Sequence, residues 1–234
     1  MICGRRRDPR ASLEYYTKYL GIACDMGNRR DMSYACNNIG TAHRDLGNDE
    51  PALACFTQAR AIAVELDDRL CLSLSAINLG NLRRSRNDLA GAALCFDEAI
   101  RHSRESNVRH LLCRALYLRA ELLFTLGEYR SAQPLNDEAL ALAIAVSRQD
   151  TISAASALRH KIAYRLGDGA AADRLRAMLL TAASENERAN MHYELWKMLG
   201  DDYRRREAIR LYRALDVESP NPAYRHRLTE AEKG

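Results

Sequence analysis

NIGTAHRDLGNDEPALACFTQA, residues 38–59, decides how the rest of the chain is read. Shifted by forty positions it lies over NLGNLRRSRNDLAGAALCFDEA, residues 78–99, with Asn38 on Asn78, Gly40 on Gly80, Ala52 on Ala92, Phe56 on Phe96 and Ala59 on Ala99. Self-similarity at a fixed offset is the mark of a structural repeat. Ala35, Ile39, Ala42 and Leu46 recur at spacings of 4, 3 and 4, which put them on one helical face. Ala52, Phe56, Ala59, Ala63 and Leu66 draw a second stripe. Between the two, Gly47 suits a left-handed helix end, Asp49 is placed to cap the next helix, and Pro51 is tolerated in a first turn. The unit is helix, turn, helix.

Outward from this unit, residues 30–68, the pattern continues in both directions. Residues 69–107 carry Asn87 at the turn, the next best residue for a left-handed conformation. Residues 108–149 restore Gly127 and keep Ala120, Ala132 and Ala139 small, but Asn136 stands where the Phe was, so Leu135 is expected to supply the packing. Residues 150–186 keep Gly167 and Ala172, with His160 in the small position and Arg176 in the aromatic one. Residues 187–218 have a shorter first helix and extra residues around Arg204, after which Ala208, Tyr212 and Leu215 restore the register. Upstream, SLEYYTKYLGIA aligns with ALACFTQARAIA, placing Tyr16 over Phe56 and Ile22 over Ile62, so residues 12–29 are a lone second helix. Residues 1–11 read as a frayed, Arg-rich tail. Residues 222–233, beyond SPNP, place Tyr224, Leu228 and Ala231 on one side and read as a cap on the array. One all-α domain over residues 12–234 is expected.

Composition agrees. Hydrophobic residues make up 47% of the 234, with only three Phe and one Trp, as in helices packed through Ala and Leu. The net charge of +4 is spread among interspersed acids and bases, which argues against nucleic acid as a partner. MICGRRRD lacks a signal-peptide core, and the longest apolar run, residues 139–146, is too short for a bilayer. A cytoplasmic location away from membranes is the expectation. Seven Cys show no metal-site spacing; Cys55 and Cys95, one repeat apart, are expected in matching buried positions, and Cys3 at the surface. The six His show no HExxH pattern, and GDGAAAD lacks the Gly-Lys-Ser/Thr of a phosphate loop. Arg5 to Arg7 and Arg204 to Arg206 read as solvated triplets, and Trp196 as a core residue beside Leu195 and Leu199. No nucleophile, base and orienter share a pattern, so neither an enzyme nor a cofactor is expected.

The small residue, the turn glycine Gly47 and the A-x3-F-x2-A run of Ala52, Phe56 and Ala59 resemble the tetratricopeptide repeat. A period near 34 residues is usual; forty is similar to the long-helix variety of kinesin light chains and bacterial signalling proteins. The closing stretch from His192 to Leu215 resembles the ends of arrays fused to bacterial nucleotide cyclases and regulatory ATPases. The resemblance implies a right-handed α-solenoid of about five units whose first helices line a concave groove for a peptide or helix of another protein. Groove positions so implied are Asn37, Asn38, Thr41 and Arg44, then Asn78, Asn81 and Arg84, then Arg114, Tyr117 and Phe124, then Lys161, Tyr164 and Arg165. The Asn side chains would hold a peptide backbone, and the line of Arg and Lys would favour an acidic partner. Asn37 and Ile77 stand where chaperone-tail binders carry a clamp Lys, which argues against that ligand. Two other readings follow from the same features: a regulatory segment of a larger signalling protein, or an adaptor that self-associates through its lone first helix.

Overall fold

The computed structural model describes residues 8–182, 184–218 and 222–233. Eight helices open the chain: α1 (Pro9–Asp25), α2 (Arg29–Asp45), α3 (Asp49–Glu65), α4 (Arg69–Ser85), α5 (Leu89–Glu105), α6 (Arg109–Thr125), α7 (Tyr129–Ala145) and α8 (Gln149–Arg165). Each has 17 residues and a new one begins every twenty. The period is therefore finer than the forty-residue hairpin: turns within hairpins and turns between them have one geometry. Positive φ falls at Gly27, Gly47, Asp67, Asn87, Asn107, Gly127, Ser147 and Gly167, again every twenty residues. In each case the chain doubles back through a left-handed residue that returns its neighbours' N–H groups to the last carbonyls. Asn48 N–H donates to His43 O at 2.8 Å and Gly47 N–H to Arg44 O at 2.9 Å.

The next residue starts the following helix. Asn28, Asp68 and Asp88 each accept a backbone N–H of the first turn, from Asp31, Cys71 and Gly91. At α3 the cap position belongs to Asn48, and Asp49, expected to cap, is the first helical residue. It acts there through the helix dipole and pairs with Arg86 at 3.5 Å. At the other end, Pro9 starts α1 with Asp8 as its cap, so residues 9–11, expected in the tail, are helical. Cys3 and Arg5 to Arg7 lie outside the described residues.

The repeat extends to contacts. Phe56 and Phe96 are fully buried, and a Cβ on Gly40 or Gly80 would sit 2.6 or 2.5 Å from the ring facing it. In the third unit the pair becomes Ala120 with Asn136: a larger first-helix residue, a smaller second-helix one, and Leu135 packed alongside. Asn136 Nδ2 donates to Ala155 O at 2.9 Å. Ser33 Oγ donates to Ala59 O and Ser73 Oγ to Ala99 O, at 2.9 and 3.2 Å. Arg29 with Glu65 recurs as Arg69 with Glu105, and Arg119 with Asp97 (2.9 Å) recurs as Arg159 with Asp137 (3.0 Å). Cys95 is buried as expected, whereas Cys55 is half-buried. First helices also touch first helices, α2 with α4, α4 with α6 and α6 with α8, forming one continuous layer. The result is an all-α solenoid of tetratricopeptide-like hairpins.

Beyond Gly167 the twenty-residue lattice fails. Helix α9 (Ala171–Leu180) has ten residues, α10 (Glu185–Leu199) has 15 and ends on left-handed Gly200, and α11 (Asp202–Glu218) and α12 (Pro222–Lys233) follow. Arg176, in the aromatic register, is exposed and pairs with Asp173, while Leu175 beside it is buried. Aromatic contact replaces the Gly–Phe device: Tyr193 meets Trp196 and Tyr212 edge-on with ring centroids 5.6 and 6.2 Å apart, and Tyr212 lies 5.9 Å from Tyr224. Trp196 is thus a core residue, partly buried. Among the described residues no helix is long and apolar enough to cross a membrane.

Candidate functional site

The first-helix layer presents the groove positions, and their environments divide them. Asn37 and Asn78, 4% and 7% exposed, are buried between α2 and α4. Asn78 Nδ2 donates to Asn37 Oδ1 at 3.4 Å, and Asn37 Nδ2 to Cys71 Sγ at 3.2 Å. These amides join neighbouring units and do not line the groove, a correction to the sequence expectation. With no room for solvent in a first-helix layer this close, each buried amide takes its partner from the neighbouring unit. Asn38 and Thr41 are half-buried and turn back to their own helix, bonding Tyr34 O at 2.9 Å and Asn37 O at 3.0 Å. Asn81 is half-buried, and its side chain makes no hydrogen bond within the described residues.

The cations meet carboxylates within the chain. Arg44 pairs with Asp45 at 2.9 Å, Arg84 with Glu121 on α6, and Lys161 with Glu194 on α10 at 2.8 Å. Arg114 is half-buried, and its charge helps to hold the Asp150 carboxyl below the usual range, after the hydrogen bond from Arg148. Tyr164 is half-buried and Arg165 exposed. Phe124 stacks against Tyr129, with ring centroids 5.2 Å apart, and the Lys161 ammonium sits 4.8 Å above its other side.

Of these groups Glu121, Asp150, Lys161 and Glu194 reach a cavity of about 410 Å³ where the lattice breaks. Tyr117 and Glu121 of α6, Asp150, Ala154, Ala157, Leu158 and Lys161 of α8, and Glu187, Asn190, Met191 and Glu194 of α10 line it. Arg227 reaches in from α12. Its guanidinium bonds Asn190 Oδ1 and Tyr212 Oη, the latter at 2.9 Å, and lies 3.9 Å from Glu194. Tyr212 Oη donates to Asn190 Oδ1 at 2.7 Å, and Tyr117 Oη to Glu121 Oε1 at 2.8 Å.

Burial alone would push the Glu121 carboxyl up, but Arg84 and Lys161 reverse this and hold it below the usual carboxylate range. Tyr117 is driven well above the ordinary phenol value by burial and by Glu121, and so remains a donor. Tyr212 is pushed up to about 12 by burial, against the pull of Arg227. The wall is therefore a fixed array of charged and hydrogen-bonding groups beside the apolar faces of Leu158 and Met191. Sequence reading found Tyr117, Lys161 and Arg84 but missed Glu194, Asn190 and Arg227. No repeat register marks those three, since all lie beyond the point where forty-residue alignment holds. Among the described residues no three His, Cys, Asp or Glu side chains gather as a metal site.

Residues 31–105 match the family model for the tetratricopeptide repeat. Among solved structures the chain is similar to BtubC (BKLC) from P. vanneervenii, at 13% identity and a TM-score of 0.57, over 97% of this chain and 90% of that one. At that identity the likeness is one of fold. No curated protein matches the chain.

Proposed function

From the premise that residues 31–105 are tetratricopeptide repeats, which generally mediate contacts between proteins, we propose a non-catalytic interaction module that holds a peptide or helix in its concave groove. The observation that carries this reading is the cavity between α6, α8 and α10. Its volume falls within the roughly 300–1,000 Å³ of ordinary ligand pockets and admits one or two anchoring side chains. From there the partner runs along the first-helix layer past Arg84 and Asn81 to Thr41 and Asn38. An acidic partner competes with Glu121 and Glu194 for Arg84, Lys161 and Arg227, so charge supplies selectivity and salt dependence more than affinity. Cytoplasmic placement belongs to the same reading.

Random dodecapeptides displayed on phage and selected on the native chain alone, then measured against both the native chain and Ala157→Trp, test it. The larger side chain fills the cavity from α8. Enriched peptides are expected to bind the native chain and to lose at least about tenfold in affinity on the variant, or about 1.4 kcal/mol. Equal binding to both chains, with both fully helical, would rule the cavity out as the anchor.

A further inference from the structure

Two residues of α8 open the cavity. Ala154 and Ala157 stand where α2, α4 and α6 carry Tyr34, Leu74 and Arg114, and then Asn37, Ile77 and Tyr117. Both positions in α8 stop at a methyl group, and both line the cavity.

What suits the opening can be read from α2 and α4, where the same register position is filled. There the Asn37 carboxamide accepts from Asn78 and donates to Cys71. Counted from the first residue of each helix, Glu187 and Glu194 of α10 take the places of Cys71 and Asn78 in α4. The count is supported by two ion pairs. Arg84 with Glu121, and Lys161 with Glu194, each join a residue to the position three places earlier in the next first-type helix. Glu187 and Glu194 both line the cavity, so α10 presents carboxylates where α4 answers an amide, and α8 lacks the amide.

Charge narrows the occupant further. Glu121 lies beside Arg84 and Lys161, Glu194 beside Lys161 and Arg227, and Asp150 beside Arg148, with Arg114 acting on Asp150 as well. An added carboxylate or ammonium would give up its hydration against a wall whose charges are already met. Hydrogen-bonding capacity is still present. The Lys161 ammonium carries three N–H groups, more than its contact with Glu194 uses, and a carboxylate accepts on two oxygens. A primary carboxamide is neutral and serves both, its oxygen accepting from Lys161 and its NH2 donating to Glu194. Its aliphatic stem suits the apolar faces of Leu158 and Met191.

We propose that the cavity holds a primary carboxamide of the partner, the side chain of a Gln or Asn, completing between α8 and α10 the contact that Asn37 makes between α2 and α4. This rests on the groove reading and names the residue that anchors its partner. Selectivity by charge then belongs to the residues flanking the anchor.

Five pools of dodecapeptides test it. Their sixth residue is fixed as Gln, Glu, Lys, Tyr or Leu, and the other positions are random with Gln and Asn omitted. Retention on the immobilised native chain is measured for each pool. The Gln pool is expected to exceed every other by at least about threefold. Ala157→Asn supplies the amide from within the chain and should erase that preference. Glu194→Gln removes the carboxylate paired with Lys161 and should move the preference to the Glu pool, both variants being as helical as the native chain. Retention led by the Glu, Lys, Tyr or Leu pool would overturn the carboxamide anchor and leave the groove reading standing. Retention of no pool would overturn both together. A Gln preference that survives Ala157→Asn would put the amide outside the cavity and overturn the proposal.

Discussion

Helices α1 to α8 and helices α9 to α12 bury their surfaces by different means. In the first region one solution is printed repeatedly: a left-handed residue every twenty positions, Gly40 and Gly80 against Phe56 and Phe96, and Arg–Glu and Arg–Asp pairs that recur forty residues apart. In the second, no such contact recurs from hairpin to hairpin among the described residues, and stability rests on the aromatic group around Tyr212 and on the Arg227 network. Repetition gives a uniform wall with few distinguishing features. The cavity, the buried charges and the convergence of four helices arise where repetition stops.

The sharpest test compares one register position in the two regions. Phe96→Ala empties a fully buried site and is expected to cost about 3–5 kcal/mol in urea unfolding. Arg176→Ala, at the exposed equivalent, should stay within about 0.5 kcal/mol. Similar losses at both would mean that the register still governs α9. Next in size, Arg227→Met removes the partner shared by Asn190, Tyr212 and Glu194, and should cost about 2 kcal/mol. Hydrogen exchange should rise across α10 to α12 and stay unchanged in α2 to α6; a rise throughout would show the two regions to be one cooperative unit.

A double-mutant cycle probes the boundary itself. Asn136→Phe alone overpacks against Ala120 and is expected to cost about 1.5 kcal/mol. Adding Ala120→Gly recreates the Gly–Phe pair of the earlier units and should recover about 1 kcal/mol of coupling. Additive effects would deny that volume is exchanged across the hairpin. Smaller again, Ser147 has φ +55, a conformation that favours glycine. Ser147→Gly should stabilise the chain by about 0.5 kcal/mol, the left-handed penalty less the added chain entropy, and a lower thermal midpoint would contradict this.

The last test has the same sign in both regions. Burial holds His102, His160 and His192 below the ordinary imidazole value, helped by Arg101, Arg174 and Arg204 respectively. The unfolded chain then binds more protons near pH 6.5, so stability is full above that value and falls as the pH drops through it. The thermal midpoint should be lower at pH 5.5 than at pH 7.5, and the difference should shrink when all three are Gln. An unchanged difference would remove the histidines as its cause.

The hairpin and its turn residues were legible because the physics behind them is local. Gly47, Asn87, Gly127 and Gly167 each stand where a left-handed φ is required, and Phe56 and Phe96 where a ring fills the hairpin. The turns between hairpins carried the same signal in Asp67 and Asn107, hidden because a forty-residue comparison does not look at twenty. Side-chain fate was harder to read. Nothing in the sequence near Asn37 distinguishes an amide that faces a peptide from one that bonds the next unit, since that depends on how closely α2 and α4 approach. The cavity depends on α12 reaching back to α10 across a chain separation with no period, so Arg227 left no pattern to find.

The uniform spacing of α1 to α8 bears on how such a chain can change length. Each helix starts and ends at the same phase, so excising residues 69–108 would join Asp68, a cap, to Arg109, a first helical residue. The chain would leave one hairpin and enter the next in an unchanged direction. Length in this region is a discrete variable, adjustable in steps of one hairpin, and duplication or loss of a unit moves the C-terminal cavity along the wall without rebuilding it.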